Sequence, residues 1–152
     1  MNDQSLQALG ALTIKRTFAA PREAVYAAFT RPEIMRQWFF GFPEGSAEVE
    51  ADLRVGGKYH IDMIPAQSGA DENGCDCGHY YHHGEYLEID PPSRLVFTWI
   101  KEGFVDYSVV TLAFEAAGET KTELTLTHRV PADKIAAHRH GWTGCLNNLE
   151  KR

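Results

Sequence analysis

Long apolar runs, a disulfide-like set of cysteines and an excess of basic residues are all absent from this chain of 152 residues. No apolar stretch approaches the length of a membrane span, and residues 1–6 lack the basic and apolar regions of a secretory signal, so we expect neither. Basic residues number 15 against 21 acidic ones, a net charge of -6. This charge argues against nucleic acid and against an anionic membrane surface as partners, because both attract basic proteins.

The cysteines are few and unevenly placed. Cys75 and Cys77 are separated by one residue, and Cys145 lies in a predicted helix. This pattern favours a reducing compartment, so we expect a cytoplasmic protein. The length indicates a single domain with one core, which we assign to residues 12–152, after a disordered or extended N-terminus at 1–11.

The chain alternates between strand and helix patterns. Apolar and polar residues alternate over 12–18, which predicts a half-buried strand. Pro21 then precedes a short helix over 22–29, and a second short helix follows to about Trp38. A polar, glycine-rich stretch over 65–78 predicts a long hairpin loop or insertion. Six further strands are predicted near 46–52, 57–64, 83–90, 94–101, 106–116 and 121–130.

The last part of the chain predicts a long amphipathic helix over 132–149. Mostly apolar residues recur at helical spacing and form a stripe along this helix. The stripe must be buried, and the sheet is the only large partner available. We therefore predict an α+β fold, in which a curved seven-stranded antiparallel sheet carries two short helices and a long C-terminal helix packed over its concave face. The concave space between sheet and helix is a natural ligand pocket. The stripe consists of Ile135, His138, Trp142, Cys145, Leu146 and Leu149.

The run GEYLEIDPPSRLVFTW at 84–99 is the most informative segment. Proline lacks an N–H and has a fixed φ, so Pro91 and Pro92 end one strand and force a turn before the next. The run also resembles a signature of the homologues of the heat-shock-protein-90 ATPase activator, a branch of the START-like (SRPBCC) superfamily of birch-pollen-allergen-like helix-grip proteins. Further motifs carry the same resemblance in the same order: TFAAPREAVY at 17–26, Trp38, VGGKY at 55–59, TELTLTH at 122–128 and GW at 141–142.

The resemblance covers about residues 12–150, and it includes small bacterial members that are single domains of this length. It implies the helix-grip fold and a pocket for a hydrophobic or amphipathic small molecule. It does not imply one function, because relatives of this fold include lipid carriers, hormone receptors, polyketide cyclases and chaperone activators.

Strand alternation predicts the side chains that line the pocket. Each of them could be ordinary core packing. A pocket is favoured by the polar tips among them, since a buried donor needs a partner, and we expect His128 and Trp142 to meet there. Gly141 and Gly144 predict either a close approach of the sheet or a ligand to the helix, or a helix that is kinked or ends early. The predicted ligand-binding residues are Trp38, Tyr59, Ile61, Met63, Phe97, Trp99, His128, Trp142, Cys145, Leu146 and Leu149.

Three functions remain open. The first is a module without a cofactor that binds a lipid, polyketide or aromatic compound. The second is a cyclase- or hydrolase-like enzyme that uses His128 with Tyr59, because an imidazole can titrate near neutral pH, although a core histidine bonded to a neighbour is the simpler interpretation. The third, suggested by the family name, is an interaction protein that stimulates a chaperone ATPase.

One further cluster has metal-ligating chemistry. Cys75, Cys77, His79 and His82 lie within eight consecutive residues and could bind zinc. However, the two cysteines lack the usual two-residue spacing, and His82 and the adjacent His83 would point apart on a strand. An exposed insertion without metal is therefore the simpler interpretation.

Overall fold

The structure is a computed structural model that describes residues 9–40, 45–65, 69–70, 76–77, 80–101 and 108–151. A short 3-10 turn, Ala132–Lys134, leads into the last helix. Within the predicted insertion, Gly69–Ala70 pairs with Asp76–Cys77 as a small separate hairpin. The main elements are β1 (Leu9–Phe18), α1 (Arg22–Thr30), α2 (Pro32–Met35), β2 (Gly45–Ala51), β3 (Lys58–Pro65), β4 (Tyr80–Asp90), β5 (Arg94–Lys101), β6 (Ser108–Ala116), β7 (Thr122–Pro131) and α3 (Ile135–Lys151).

The seven long strands form one antiparallel sheet in the order β1-β7-β6-β5-β4-β3-β2. From β2 onward each strand pairs with its neighbours in the chain, while β1 pairs with the last strand, placing Leu12 opposite His128. The helix α3 buries Trp142, Cys145, Leu146 and Leu149. The predicted α+β helix-grip architecture is therefore confirmed.

The predicted element boundaries agree with the structure to within three residues. The strand β1 begins at Leu9, so residues 9–11 of the expected N-terminal extension are strand, and residues 1–8 lie outside the described part. Residues 106–107 of the sixth predicted strand lie outside it too. The domain assignment to 12–152 stays a prediction.

Strand alternation places one face of the sheet in the core. On β7, Leu124, Leu126 and His128 are each 0% exposed. On β6, where the sequence leaves the inward face ambiguous, burial selects Val110, Leu112 and Phe114. The face that opposes the helices is thus apolar almost throughout, which explains why α3 packs there.

The turn after β4 is attached to α1. Ser93 N donates to Asp90 O at 2.8 Å, and the peptide bond between the two prolines is cis. From α1, Arg22 Nη1 donates to Ser93 Oγ at 3.0 Å and Tyr26 Oη donates to Arg94 O at 3.2 Å. The double-proline signature therefore connects the sheet to the first helix.

Gly84, the first residue of that signature, lies where no side chain fits. A Cβ at this position would overlap with the Thr98 carbonyl oxygen and would lie 2.7 Å from Tyr59 Oη. The Tyr59 hydroxyl donates to that same carbonyl, and Glu85 N donates to Thr98 Oγ1 at 2.8 Å. The missing Cβ is therefore what allows Tyr59 to bond across β4 to β5.

The expected close approach at Gly141 is wrong. A Cβ there would meet no atom within 4 Å. The helix α3 also continues through both of its glycines to Lys151, so it does not end early. Gly141 is consequently a site where the helix tolerates glycine without needing it.

Candidate functional site

All of the predicted lining residues are buried, with exposed fractions between 0% and 8%. All of them except the polar His128 belong to a single hydrophobic core cluster formed by α1, α2, the concave face of the sheet and α3. The prediction that these side chains face inward is confirmed, and their role in binding stays a prediction. The group consists of Trp38, Tyr59, Ile61, Met63, Phe97, Trp99, His128, Trp142, Cys145, Leu146 and Leu149.

Aromatic rings fill the space beside α3. Trp38 stacks on Phe39 with ring centroids 4.5 Å apart, and Phe39 lies parallel to Trp99 at 5.9 Å. Trp99 in turn packs on Trp142 at 4.9 Å. The centre of the predicted pocket, between the sheet and α3, is therefore occupied by side chains of the protein itself.

His128 lies in a chain of hydrogen bonds that begins at Trp142 and ends at the carbonyl oxygen of Trp99. Trp142 Nε1 donates to His128 Nδ1 at 3.0 Å, and an indole nitrogen can only donate. The proton of a neutral His128 must therefore be on Nε2, which lies 2.6 Å from Ser108 Oγ. The Ser108 hydroxyl donates its own proton to Trp99 O at 3.0 Å. Both imidazole nitrogens are thus used by the protein, and the predicted meeting of His128 and Trp142 is confirmed.

The electrostatic environment keeps His128 neutral. Burial first, and then the neighbouring His138 and His82, lower the pKa of His128 from 6.5 to about 3. The ring of His138 stands perpendicular to that of His128 with centroids 4.8 Å apart. An imidazole with this pKa does not exchange protons near neutral pH.

The proposed acid–base pair of His128 and Tyr59 gains no support from this geometry. The Tyr59 hydroxyl is engaged with Thr98 O, and burial raises its pKa well above the usual value. The ring of Trp99 lies 6.5 Å from that of Tyr59 and 6.4 Å from that of His128. In addition, Ser108 accepts from His128 instead of donating to it, which is the reverse of an activated serine.

A small cavity lies at the other end of the core, under α1 and α2. Its volume is about 10 Å³, about the room that one water molecule needs. Of its walls, Tyr59, Ile61 and Phe97 are among the predicted ligand-binding residues. The cavity is completed by residues that the sequence reasoning missed: Phe29, Met35, Phe39 and Tyr86.

Among the described wall residues, Tyr86 has a side-chain hydroxyl that is left without a partner. The residue is 2% exposed, and its hydroxyl makes no hydrogen bond within the part of the chain that the structure describes. Burial first, and then the neighbouring Tyr26 and Asp52, raise the pKa of Tyr86 to about 12. The hydroxyl is therefore a neutral group that can donate a hydrogen bond at any physiological pH.

Three of the four polar tips that favoured a pocket beside α3 are satisfied internally. Tyr59, His128 and Trp142 each bond to a protein atom, so none of them requires a ligand. The sequence signal that could have identified Tyr86 is its two-residue spacing from Gly84. It is obscured because the β4–β5 register shifts between Tyr86 and Glu88.

The predicted metal cluster falls mostly outside the described residues, which include neither Cys75 nor His79 and not the side chain of Cys77. His82 points into the core and stacks on Trp99 with centroids 4.4 Å apart, while His83 lies on the opposite face. Among the described residues, no group of three or more histidine, cysteine or acidic side chains could hold a metal ion.

Cys145 is a buried free thiol, and burial raises its pKa, so it is protonated and poorly reactive.

In the described ranges, no helix has the length and apolar character that crossing a membrane would require. The cytoplasmic location stays a prediction.

The fold and its enclosed core define a helix-grip domain of the START-like class. The family described as "Activator of Hsp90 ATPase homolog 1-like protein" matches residues 19–152. The chain therefore belongs to this family, and the predicted family membership is confirmed.

Relatives with known names include a human protein, "Activator of 90 kDa heat shock protein ATPase homolog 1". It is 29% identical over 135 residues, which cover 86% of this chain and 33% of the human protein. The chain thus spans about a third of that relative's length.

Solved structures of similar chains have the same fold. An AHSA1 protein from Silicibacter pomeroyi is 26% identical, with a TM-score of 0.71 over 93% of this chain and 96% of that one. An HSP90 activator from Plasmodium falciparum is also 26% identical, with a TM-score of 0.68 over 92% of this chain and 93% of that one.

Proposed function

We propose that this protein binds a hydrophobic or amphipathic small molecule between α1, α2 and the concave face of the sheet. The observation that carries the proposal is the cavity under the short helices, with its aromatic and aliphatic walls and the unpartnered Tyr86 hydroxyl. Apolar walls with a few polar groups are typical of ligand sites. The proposed site lies away from α3, because none of the described wall residues belongs to that helix.

A ligand larger than one water molecule requires a wall that can move, and Met35 is the best candidate. The other wall residues are aromatic, apart from the β-branched Ile61. Methionine is unbranched and adapts its shape to its surroundings. Met35 also ends α2, which is only four residues long. A ligand would therefore take the place of the Met35 side chain and push little else aside.

The test is a ligand screen on delipidated protein by native mass spectrometry and ligand-observed NMR, with lipid, polyketide and aromatic compounds. The Met35→Ala variant should bind small aromatic compounds more tightly than the parent, because the truncation extends the cavity next to Tyr86. Leu146→Ala is the matched control, since Leu146 is equally buried but lies on α3. Leu146→Ala should not bind these compounds more tightly than the parent at this cavity, and its ligand-induced shifts at Tyr86 and Phe97 should match those of the parent.

Binding by neither the parent nor Met35→Ala would contradict the proposal. Binding that shifts only residues near Trp142 would also contradict it, because the ligand would then lie at the other end of the core.

A second candidate function is stimulation of an Hsp90-type chaperone ATPase, which the identity to the human activator favours. Because this chain matches a third of that protein, the activity of the whole activator does not transfer directly. Steady-state ATPase rates of a purified Hsp90-family chaperone should rise when the protein is added, with an Hsp90 inhibitor defining the background. An unchanged rate at saturating protein would remove this candidate.

The two candidates are separable. Met35 is 2% exposed, so Met35→Ala changes the core and leaves the surface intact. A chaperone activity that survives Met35→Ala unchanged would be a surface property, independent of the ligand site.

A further inference from the structure

We infer that the Tyr86 hydroxyl is the polar anchor of the proposed site and donates a hydrogen bond to a carbonyl oxygen of an uncharged, aromatic ligand. This inference rests on the proposed function and adds the class of ligand. It is carried by three observations: the missing partner of the hydroxyl, the rigidity of its position, and the composition of the cavity walls.

The missing partner distinguishes Tyr86 from the other buried tyrosines that the structure describes. Three tyrosines are buried in the described residues, with exposed fractions between 2% and 5%. The hydroxyl of Tyr26 donates to Arg94 O and that of Tyr59 donates to Thr98 O. Of these three described tyrosines, only Tyr86 has no partner. Since buried polar groups are nearly always hydrogen-bonded, an exception needs a specific explanation.

The backbone of Tyr86 is held by hydrogen bonds, and its ring is held by packing. Tyr86 N donates to Gly57 O and Gly56 N donates to Tyr86 O, both at 2.9 Å. Gly57 leaves no room for a side chain, because a Cβ there would overlap with Asp52 O. The ring of Tyr86 packs against those of Tyr59, at 5.5 Å, and Phe97, at 6.5 Å. The hydroxyl is therefore preorganised to meet a ligand.

The walls define the rest of the ligand. Among the described residues, no charged side chain lines the cavity, so an ionised ligand would lose its hydration without compensation. Phenylalanine and tyrosine rings form most of the walls, and such rings pack well on another planar ring. A phenol O–H donates, so the polar atom of the ligand should be an acceptor. These features together point to an uncharged aromatic ketone, ester or similar carbonyl compound.

A single water molecule is the simplest alternative occupant, and the site would hold it poorly. A buried water needs two to four polar partners. The side chains of the described wall residues contribute one other hydroxyl, that of Tyr59, whose proton is already donated to Thr98 O, so a water would find at most two hydroxyl partners, the lower limit of that range. A ligand carbonyl that displaces such a water gains affinity by doing so.

The experiment compares two probes of the same shape, acetophenone and isopropenylbenzene, in which the carbonyl oxygen is replaced by a methylene group. Their affinities are measured by ligand-observed NMR for the parent and for Met35→Ala, each with and without Tyr86→Phe. We expect the affinity ratio of ketone to hydrocarbon to fall about five- to tenfold on Tyr86→Phe, as loss of one net hydrogen bond requires. The melting temperature of unliganded Tyr86→Phe should stay the same or rise, because that variant no longer buries an unpaired hydroxyl.

Tyr26→Phe is the matched control, since it also removes a buried tyrosine hydroxyl but lies outside the cavity walls. It should lower the melting temperature and leave the affinity ratio unchanged. If both probes bind and Tyr86→Phe leaves the ratio unchanged, the anchor is wrong while the proposed ligand site stands. If neither probe nor any other compound binds to any variant, both proposals fail.

Discussion

The indole N–H of Trp142 donates to Nδ1 of His128 across 3.0 Å, and this bond decides the chemistry of the imidazole. Because the donor has no acceptor function, Nδ1 must be unprotonated, so the proton of the neutral ring lies on Nε2 and points at Ser108. The pairing turns the most attractive catalytic candidate of the sequence into a structural connection between β7 and α3.

We predict that His128 keeps the Nε2–H tautomer and does not titrate between about pH 8 and about pH 5, since its pKa is lowered to about 3. Long-range nitrogen–proton correlation NMR measures both properties directly. Protonation of His128 near neutral pH would contradict the hydrogen-bond assignment.

The lowered pKa of His128 also predicts how stability depends on pH. His128 binds a proton below about pH 6.5 in the unfolded chain, but only below about pH 3 in the folded chain. The contribution of His128 to the free energy of unfolding should therefore be fully present above about pH 6.5. Below that pH it should decrease by about 1.4 kcal/mol per pH unit. Urea titrations at a series of pH values measure the slope. His128→Gln should be less stable at neutral pH but should lose this part of the slope; an unchanged slope would contradict the assignment.

Two glycine-to-alanine changes should have opposite effects. Gly84→Ala places a methyl group against the Thr98 carbonyl and the Tyr59 hydroxyl, and we expect it to lower the free energy of unfolding by about 2–4 kcal/mol through strain and a lost hydrogen bond. Gly141→Ala meets no atom within 4 Å in a continuous helix, so it should raise the free energy of unfolding by about 0.5–1 kcal/mol. Chemical denaturation measures both, and equal effects would contradict the packing around Gly84.

The buried Cys145 thiol should not react with a thiol reagent in the folded protein. Its pKa is raised by burial, so little thiolate forms, and the side chain is 2% exposed. A chain with Cys75→Ser and Cys77→Ser isolates this residue. Labelling followed by mass spectrometry should be slow without denaturant and complete in denaturant; rapid labelling of the folded chain would show that α3 separates from the sheet.

Much of the fold could be predicted because its causes are local in the sequence. Alternation over β3, β5 and β7 correctly identifies their buried faces, since successive strand residues point to opposite sides of a sheet. The proline pair ends β4 where expected, because proline cannot continue the ladder. The stripe of α3 is equally local, and its burial follows once the sheet exists.

The candidate site could be predicted only in part. Phe29 and Met35, on two consecutive helices, meet Tyr86 at one cavity although Tyr86 lies on a strand much later in the chain. No spacing rule relates them, and the register shift after Tyr86 hides its inward orientation from strand alternation. The pocket was expected beside α3 because Trp142 has a polar tip, yet that tip is satisfied by His128.

For β3, β5, β7 and α3 the sequence alone determined which residues are buried, because burial there follows the apolar pattern of each strand and helix taken separately. Only the tertiary structure decided which buried polar groups find partners, because that depends on distances of a few ångströms between elements that the sequence does not relate. Within the described residues, His128, Tyr26 and Tyr59 are satisfied by such contacts and Tyr86 is not. Because Tyr86 is the one of these residues without a partner, the ligand site is proposed at the cavity that Tyr86 lines and not beside α3.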